Sequence, residues 1–439
     1  MCIICFLKDR KQFLLRHSAI TRTDRFEHSL EIYKNEFINE FLNSINEEIC
    51  EIHNNVESNE YISKALKKIE AREIESFFVQ IKETYIHWMN TEIPDAINKL
   101  KELIDHYKLE NFNESLKNNL LFRGRFSGSF ISHWDMFHIP FNRRFLITNQ
   151  RYSLVGQPIL YFASSPYGVY KELGKHTDLR IARFRIKDGK CFKVFENINK
   201  FPQYIDVFEA SSEDIKENGI ESGKLDSMMD SEELNNEDYV KAMFYLMILS
   251  SCCSFSRRDD TADKEFSEEY ILPQILTIAL KQMGYEGIKY ASTKMHRDEV
   301  VKIVNNKAKD ILYSNYCIFT NYTLSDCIEK TNVYDRILYK KFDISNIIPY
   351  KNNIDSELFK IDCLFKLISE IDAAEREKVY NKDIAYILAE DIERIKELSS
   401  SLKNIDDDYA KVVNNLINIH ILFIRDVLLE IESKGRSNG

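Results

Sequence analysis

At 439 residues, with 44% hydrophobic, 12% aromatic and 30% charged side chains, the chain can bury a sizeable core and is too apolar for wholesale disorder. A net charge of -10, with acidic residues spread along the chain, leaves no electrostatic footprint for a duplex and sets nucleic acid aside as the main ligand. Nine scattered cysteines, an odd number with no secretory leader before them, predict reduced thiols in a cytoplasmic protein.

The opening MCIICFLKDRK breaks into charge too early for a signal core. Its Cys2-x-x-Cys5 pair has metal-ligand spacing but no second pair close by in sequence, so free thiols are the expectation there and no metal is implied. From about Arg25 to Asn119 the pattern is helical. Tyr33, Phe37, Phe41, Ile45 and Ile49 recur every four positions as a buried stripe, and glycine is absent from Met1 through Leu121.

After Leu121 the texture changes. Gly124, Gly128, Pro140, Gly156, Pro158, Pro166, Gly168 and Gly174 arrive among short β-prone runs, which marks a domain boundary. Strands are predicted over Ile159 to Ala163, Leu179 to Ile186, Cys191 to Glu196, Gly287 to Ala291 and Asn315 to Tyr322. Asn197 to about Ile205 reads as a loop, and the acidic stretch from Ser211 to Glu237 as an exposed insertion. Asn236 to Ser254 and Tyr270 to Met283 read as helices, the second with Pro273 in its first turn. The longest weakly polar run is read as Ala242 to Phe255, too short and too rich in Ser and Cys to span a bilayer, so no membrane anchor is expected. From Asp355 to Ser433 the chain is helical again. Ile384, Leu388, Ile392 and Ile395, then Val412, Leu416, Ile419, Phe423, Val427 and Ile431, fit an antiparallel hairpin.

The densest chemistry begins at Leu121, in LFRGRFSGSFISHWDMFHIPFNRRFLITNQRYSLVGQPILYFASSPYGVYKELG. Arg123, Arg125, Arg143, Arg144 and Arg151 stand among aromatic and small residues. Guanidinium groups grip phosphate oxygens, rings stack on flat heterocycles, and glycines let backbone approach a ligand, which together suit a nucleotide carrying a pyrophosphate. The alternative reading places the arginines on solvated strand faces and the aromatics in the core.

Four elements in order carry a resemblance to a known family. Arg123-Gly124-Arg125 is followed by Arg151-Tyr152-Ser153-Leu154-Val155-Gly156, then by Leu160-Tyr161-Phe162 and by Glu172 on a helix. The late segment GYEGIKYAS, closing in Ser292, and the strand NYCIFTN complete the set. The region from Leu121 to about Tyr350 thereby resembles the RES family of NAD⁺-consuming toxins, named for an Arg, Glu, Ser triad. The resemblance implies an α+β protein: a mixed-sheet core similar to the ADP-ribosyltransferase fold over residues 120–350, with helical regions at 1–119 and 351–439 on either side. It implies NAD⁺ as substrate rather than cofactor, and Glu172, Arg123 and Ser292 as the catalytic set. Glu172 would offset charge on the ribosyl oxocarbenium, Ser292 would orient the ribose, and Arg123 and Arg151 would hold the pyrophosphate with Arg125 beside them. Tyr152 and Tyr161 would pack against the nicotinamide or its ribose. A toxin or defence role with an antitoxin or regulatory partner follows from the same resemblance, and the helical arms, which have no counterpart in the compact members, are the candidates for regulation and for assembly with further copies.

Other motifs offer less. His133 and His138, five apart, do not share a helical face and read as ordinary polar residues near a pocket rim. There is no Walker A loop and no H-E-x-x-H, which removes the easy readings as nucleoside triphosphatase or zincin. Two rivals stay open: an ADP-ribosyltransferase acting on a macromolecule, and an inactive scaffold whose helices bind a partner.

Overall fold

The computed structural model describes residues 1–8, 25–54, 56–174, 178–202, 204–205, 236–257, 266–294, 314–328, 333–350, 388, 391–392, 395 and 407–437. The strands among them, in chain order, are β1 (Asn113–Leu116), β2 (Leu120–Phe126), β3 (Ile159–Ala163), β4 (Leu179–Ile186), β5 (Phe192–Asn197), β6 (Gly287–Ala291), β7 (Ser314–Phe319), β8 (Phe342–Ile344) and β9 (Ile348–Pro349). With helices before, between and after them, the protein is α+β. The chain forms two compact units. One comprises residues 1–113, 147–156 and 195–293, the other 114–146, 157–194 and 294–439. The change in texture after Leu121 therefore falls close to the first crossing between units, but the units interleave instead of following one another along the chain.

The first unit is predominantly helical. Its stripe residues Tyr33, Phe37 and Phe41 are buried on the helix Phe26–Asn46, whereas Ile45 is half-buried and Ile49 lies beyond the helix end. Phe37 meets Phe78 of the helix Ala71–Met89 at 5.9 Å, and Phe41 meets Phe244 of the helix Glu237–Cys252 at 4.8 Å, both between ring centroids. The Glu237–Cys252 helix is apolar almost all round and is buried from Ala242 to Cys252, as its sequence demands of a central helix. Glu70 and Glu73 close a capping box at the start of Ala71–Met89. Pro273 sits in the first turn of Ile271–Gln282, where its missing N–H costs nothing. The acidic insertion from Ser211 lies outside the described residues.

In the second unit the strand order is β7-β3-β2-β4-β8, with β9 also on β4, and the registered pairs are antiparallel. One face carries Leu121, Leu160, Phe162, Ala182, Phe184 and Ile318 in a core closed by Met136, Phe137, Leu338 and Phe342. The other face takes the helix Asp407–Ser437. His420 and Phe423 of that helix pack their rings on Phe122 at 4.7 and 5.7 Å. Two buried arginines of β4 face the same helix. Arg183 pairs with Asp343 at 3.2 Å, while Arg185 reaches Asp188 at 3.3 Å and Glu430 at 3.5 Å.

Two expectations need correction here. The longest weakly polar run among the described residues is not Ala242 to Phe255 but Val412–Glu430, which by length and composition could cross a membrane and has mean hydropathy 1.5. Its stripe Val413, Leu416, Ile419, Phe423 and Val427 is buried within its own unit, which accounts for the apolar character without a bilayer. His138 is not a rim residue. It is fully buried, its Nδ1 bonds the Ile139 carbonyl at 2.7 Å, and its Nε2 accepts the Asp335 N–H at 2.9 Å. Of the expected hairpin's first arm, Leu388, Ile392 and Ile395 are helical and buried, and Ile384 lies outside the described residues.

Candidate active site

Strand β2 reads LLFRGRF, and its period-2 alternation sends Phe122 and Gly124 to one face and Arg123 and Arg125 to the other. Gly124 has a packing reason to be glycine. A Cβ there would stand 2.4 Å from Val169 Cγ1 and 3.0 Å from Leu173 Cδ1, both on the helix Pro166–Leu173. The missing side chain lets that helix lie against the strand. The helix itself is started by Ser165, whose hydroxyl accepts the Gly168 N–H at 3.0 Å, and it carries Glu172 in its last turn.

Strands β2 and β4 stay in register from Leu120↔Arg185 to Phe126↔Leu179, whereas β2 and β3 share the single pair Phe122↔Ala163. Beyond that pair the sheet opens. A continued ladder would set Gly124 opposite Tyr161. Instead the Tyr161 carbonyl accepts a bond from Arg123 Nη1 at 2.7 Å. Arg123 is enclosed at its guanidinium end, and its Nε has no hydrogen-bond partner among the described residues. Burial, with Arg125 beside it, pushes its pKa down to about 9. Arg125, lowered likewise by burial, donates to the Phe137 carbonyl at 3.4 Å. Neither arginine forms an ion pair of 4.0 Å or less among the described residues; both are desolvated, and the Asp135 carboxylate partly offsets the cost for Arg125.

Glu172 is half-buried and held from a neighbouring strand. Asn315, in β7 and opposite Ala163 of β3, donates through Nδ2 to Glu172 Oε1 at 2.7 Å. Lys294 lies 3.8 Å from Glu172 Oε2 and also bonds the Glu172 main-chain carbonyl. Asn315 escaped the reading of the sequence. The signal available was a polar amide inside SNYCIF, a strand buried along its whole length, where an unpaired amide would be expensive.

The remaining residues named from sequence lie in the first unit. Arg151 donates through Nη1 to the carbonyls of Cys253 and Phe255 at 2.8 and 3.0 Å, and its guanidinium lies 5.0 Å from the Tyr270 ring. Tyr152 is buried, packs its ring 4.5 Å from Tyr290, accepts at its hydroxyl from Asn197 at 3.2 Å, and offers its carbonyl to Thr277 at 3.0 Å. Ser292 is buried immediately after β6. The second unit thus holds Arg123 and Arg125 on one face of β2, with the Arg123 guanidinium on the Tyr161 carbonyl, and Glu172 on the helix that covers the other face, while the first unit holds Arg151, Tyr152 and Ser292.

The fold and this arrangement define an α+β protein with a short β2–β3 ladder, two desolvated arginines on β2 and an oriented carboxylate on the helix above Gly124. Compared with known proteins, the chain is 28% identical over 307 residues to a protein of Bacillus subtilis (strain 168) named "Putative toxin YopC". The matched region is 66% of this chain and 61% of that relative's length. No protein-family model matches the chain, and no solved structure matches it.

Proposed function

We propose that this chain is a bacterial toxin that breaks the nicotinamide–ribose bond of NAD⁺ in the cytoplasm, in the manner of the RES proteins it resembles. The observation that carries the reading is the opening between β2 and β3, with the desolvated Arg123 and Arg125 on one face of β2 and the Glu172 helix seated on Gly124 at the other. A pyrophosphate supplies the charge that two desolvated guanidinium groups lack, in the bidentate geometry that suits them. The similarity to the Bacillus subtilis protein supports the toxin role and is silent on the substrate.

In this reading the C–N bond electrons leave with neutral nicotinamide, and the ribosyl C1 becomes oxocarbenium-like. Glu172, fixed by Asn315, faces that developing positive charge with a carboxylate already oriented, so little reorganisation accompanies the reaction. Water then adds to C1 and gives up a proton, yielding ADP-ribose. Phosphate as the acceptor would yield the 1-phosphate instead. Tyr161 belongs beside the ribose. The ribose-orienting role of Ser292 remains what the resemblance implies, whereas the carbonyl bonds of Arg151 and the buried ring of Tyr152 suit structural roles within the first unit better than direct contact with a pyrophosphate. An antitoxin would act by keeping NAD⁺ from the opening. The test is incubation of the purified full chain with NAD⁺, with and without phosphate, followed by chromatography of nicotinamide and the ribosyl product. Intact NAD⁺ after prolonged incubation, with no nicotinamide above a heat-treated control, would overturn the proposal.

A further inference from the structure

The first unit holds a cluster that the NAD⁺ reading does not use. Cys2 precedes the short helix Ile3–Lys8 and Cys5 lies within it, so the C-x-x-C spacing brings two thiols to one end of that helix. The helix Phe26–Asn46 stops at Asn46, and the chain turns back at Cys50 to meet them. The Cys50 sulfur lies 3.7 Å from the Cys2 sulfur and 3.7 Å from the Cys5 sulfur, and all three lie within 4.8 Å of one another. Rings hold the arrangement from behind: Phe6 packs on Phe37 at 5.5 Å and on Phe41 at 6.2 Å.

That spacing is informative. Four ligands around zinc at Zn–S of about 2.3 Å form a tetrahedron whose S···S edges are about 3.8 Å. Two of the three edges here have that length already, a sulfur–sulfur contact longer than any disulfide and one that a zinc ion could occupy without moving the thiols apart. Three thiolates so close would repel one another unless a cation lay among them. The sequence offers the fourth ligand: Cys50-Glu51-Ile52-His53 is a C-x-x-H turn, closed by His53 N–H donating to the Cys50 carbonyl at 2.9 Å, and His53 is buried. With Cys2-x-x-Cys5 this makes C-x-x-C and C-x-x-H, 45 residues from Cys5 to Cys50. The sequence gap hides the second pair from a local search, and only the return of the chain at Cys50 shows it.

We propose that Cys2, Cys5 and Cys50 bind a zinc ion as thiolates, with His53 swinging in as the fourth ligand. The site closes on all four positions with protein atoms, so it is structural: it staples the N-terminal helix to the turn after Phe26–Asn46. Each thiol gives its proton to solvent as its sulfur takes the metal, which makes binding tighter as pH rises.

The test uses the full chain purified under reducing conditions without added chelator. Metal analysis is expected to find about one zinc per chain. Exchange into cobalt(II) is expected to give the near-ultraviolet sulfur-to-cobalt band of three thiolates and the visible bands of a tetrahedral site. Chelator should lower the melting temperature of the wild-type chain, and zinc alone should restore it. Cys50→Ser is expected to lose the metal at least tenfold, and Cys191→Ser, at an exposed position, to keep it. His53→Ala should retain the charge-transfer band while binding the metal at least tenfold more weakly. Wild-type protein without zinc, silent with cobalt and unmoved by chelator, would overturn the proposal whatever the variants do. Undiminished zinc in Cys50→Ser would overturn it equally, and unchanged affinity in His53→Ala would overturn His53 as the fourth ligand.

Discussion

Asn315→Ala separates orientation of the carboxylate from its charge. The Asn315 amide donates to a carboxylate oxygen at 2.7 Å, and bonds of this kind to a charged acceptor contribute about 1.5–3 kcal/mol. If that contribution is realised mainly in the transition state, kcat for nicotinamide release should fall about tenfold to a hundredfold, with KM little changed. Stability should suffer less. Asn315 is 2% exposed and its Oδ1 has no partner among the described residues, so the substitution also deletes a buried unsatisfied acceptor, while half-buried Glu172 can take up water. The assay is steady-state nicotinamide release on the full chain beside a thermal melt. A double-mutant cycle with Glu172→Gln completes it: an amide that acts through Glu172 should lose most of its effect once the charge is gone. Wild-type turnover in Asn315→Ala, or a loss of the same size in both backgrounds, would refute the reasoning.

Glu172→Gln keeps shape and hydrogen-bonding capacity and removes the negative charge, so turnover should fall about a hundredfold or more, roughly 3 kcal/mol in barrier, while titration calorimetry still detects NAD⁺ binding. Arg123→Ala should weaken NAD⁺ affinity by roughly 1.5–3 kcal/mol in the same titration, with the melting temperature held or raised because a desolvated charge is removed. Gly124→Ala places a methyl 2.4 Å from Val169 Cγ1 and should cost about 1–3 kcal/mol in denaturant unfolding, partly recovered in Gly124→Ala with Val169→Ala. His138 is held to about 4 by burial, against an ordinary value of 6.5, so its folded form resists protonation. Its contribution is fully present above about pH 6.5 and is lost as pH falls from there toward about 4, reaching at most about 3 kcal/mol at roughly 1.4 kcal/mol per pKa unit. Urea melts at pH 7 and pH 5 should show the drop, and His138→Asn should flatten it.

The sequence by itself determined the local elements, because helix and strand periods are written in neighbouring residues. The stripe Tyr33, Phe37 and Phe41, the strands Ile159–Ala163, Leu179–Ile186 and Gly287–Ala291, and the helix Ile271–Gln282 with its Pro273 follow from spacing, β-branching and the cost of a lost N–H. The α+β class comes from the resemblance rather than from these elements. Arg123 and Glu172 could be singled out as residue types, but their surroundings could not. Only the tertiary structure decided that β2 and β3 part beyond Phe122↔Ala163, since strand pairing joins positions far apart and nothing local reports where a ladder ends. It alone set Asn315 on Glu172, 143 residues away, and brought Arg183 to the Phe423 carbonyl and Arg185 to Glu430 of the helix Asp407–Ser437. The same holds for the thiols. Cys2-x-x-Cys5 looks incomplete along the chain because metal geometry is read in ångströms, and Cys50 becomes a neighbour only after the intervening helix has turned the chain back.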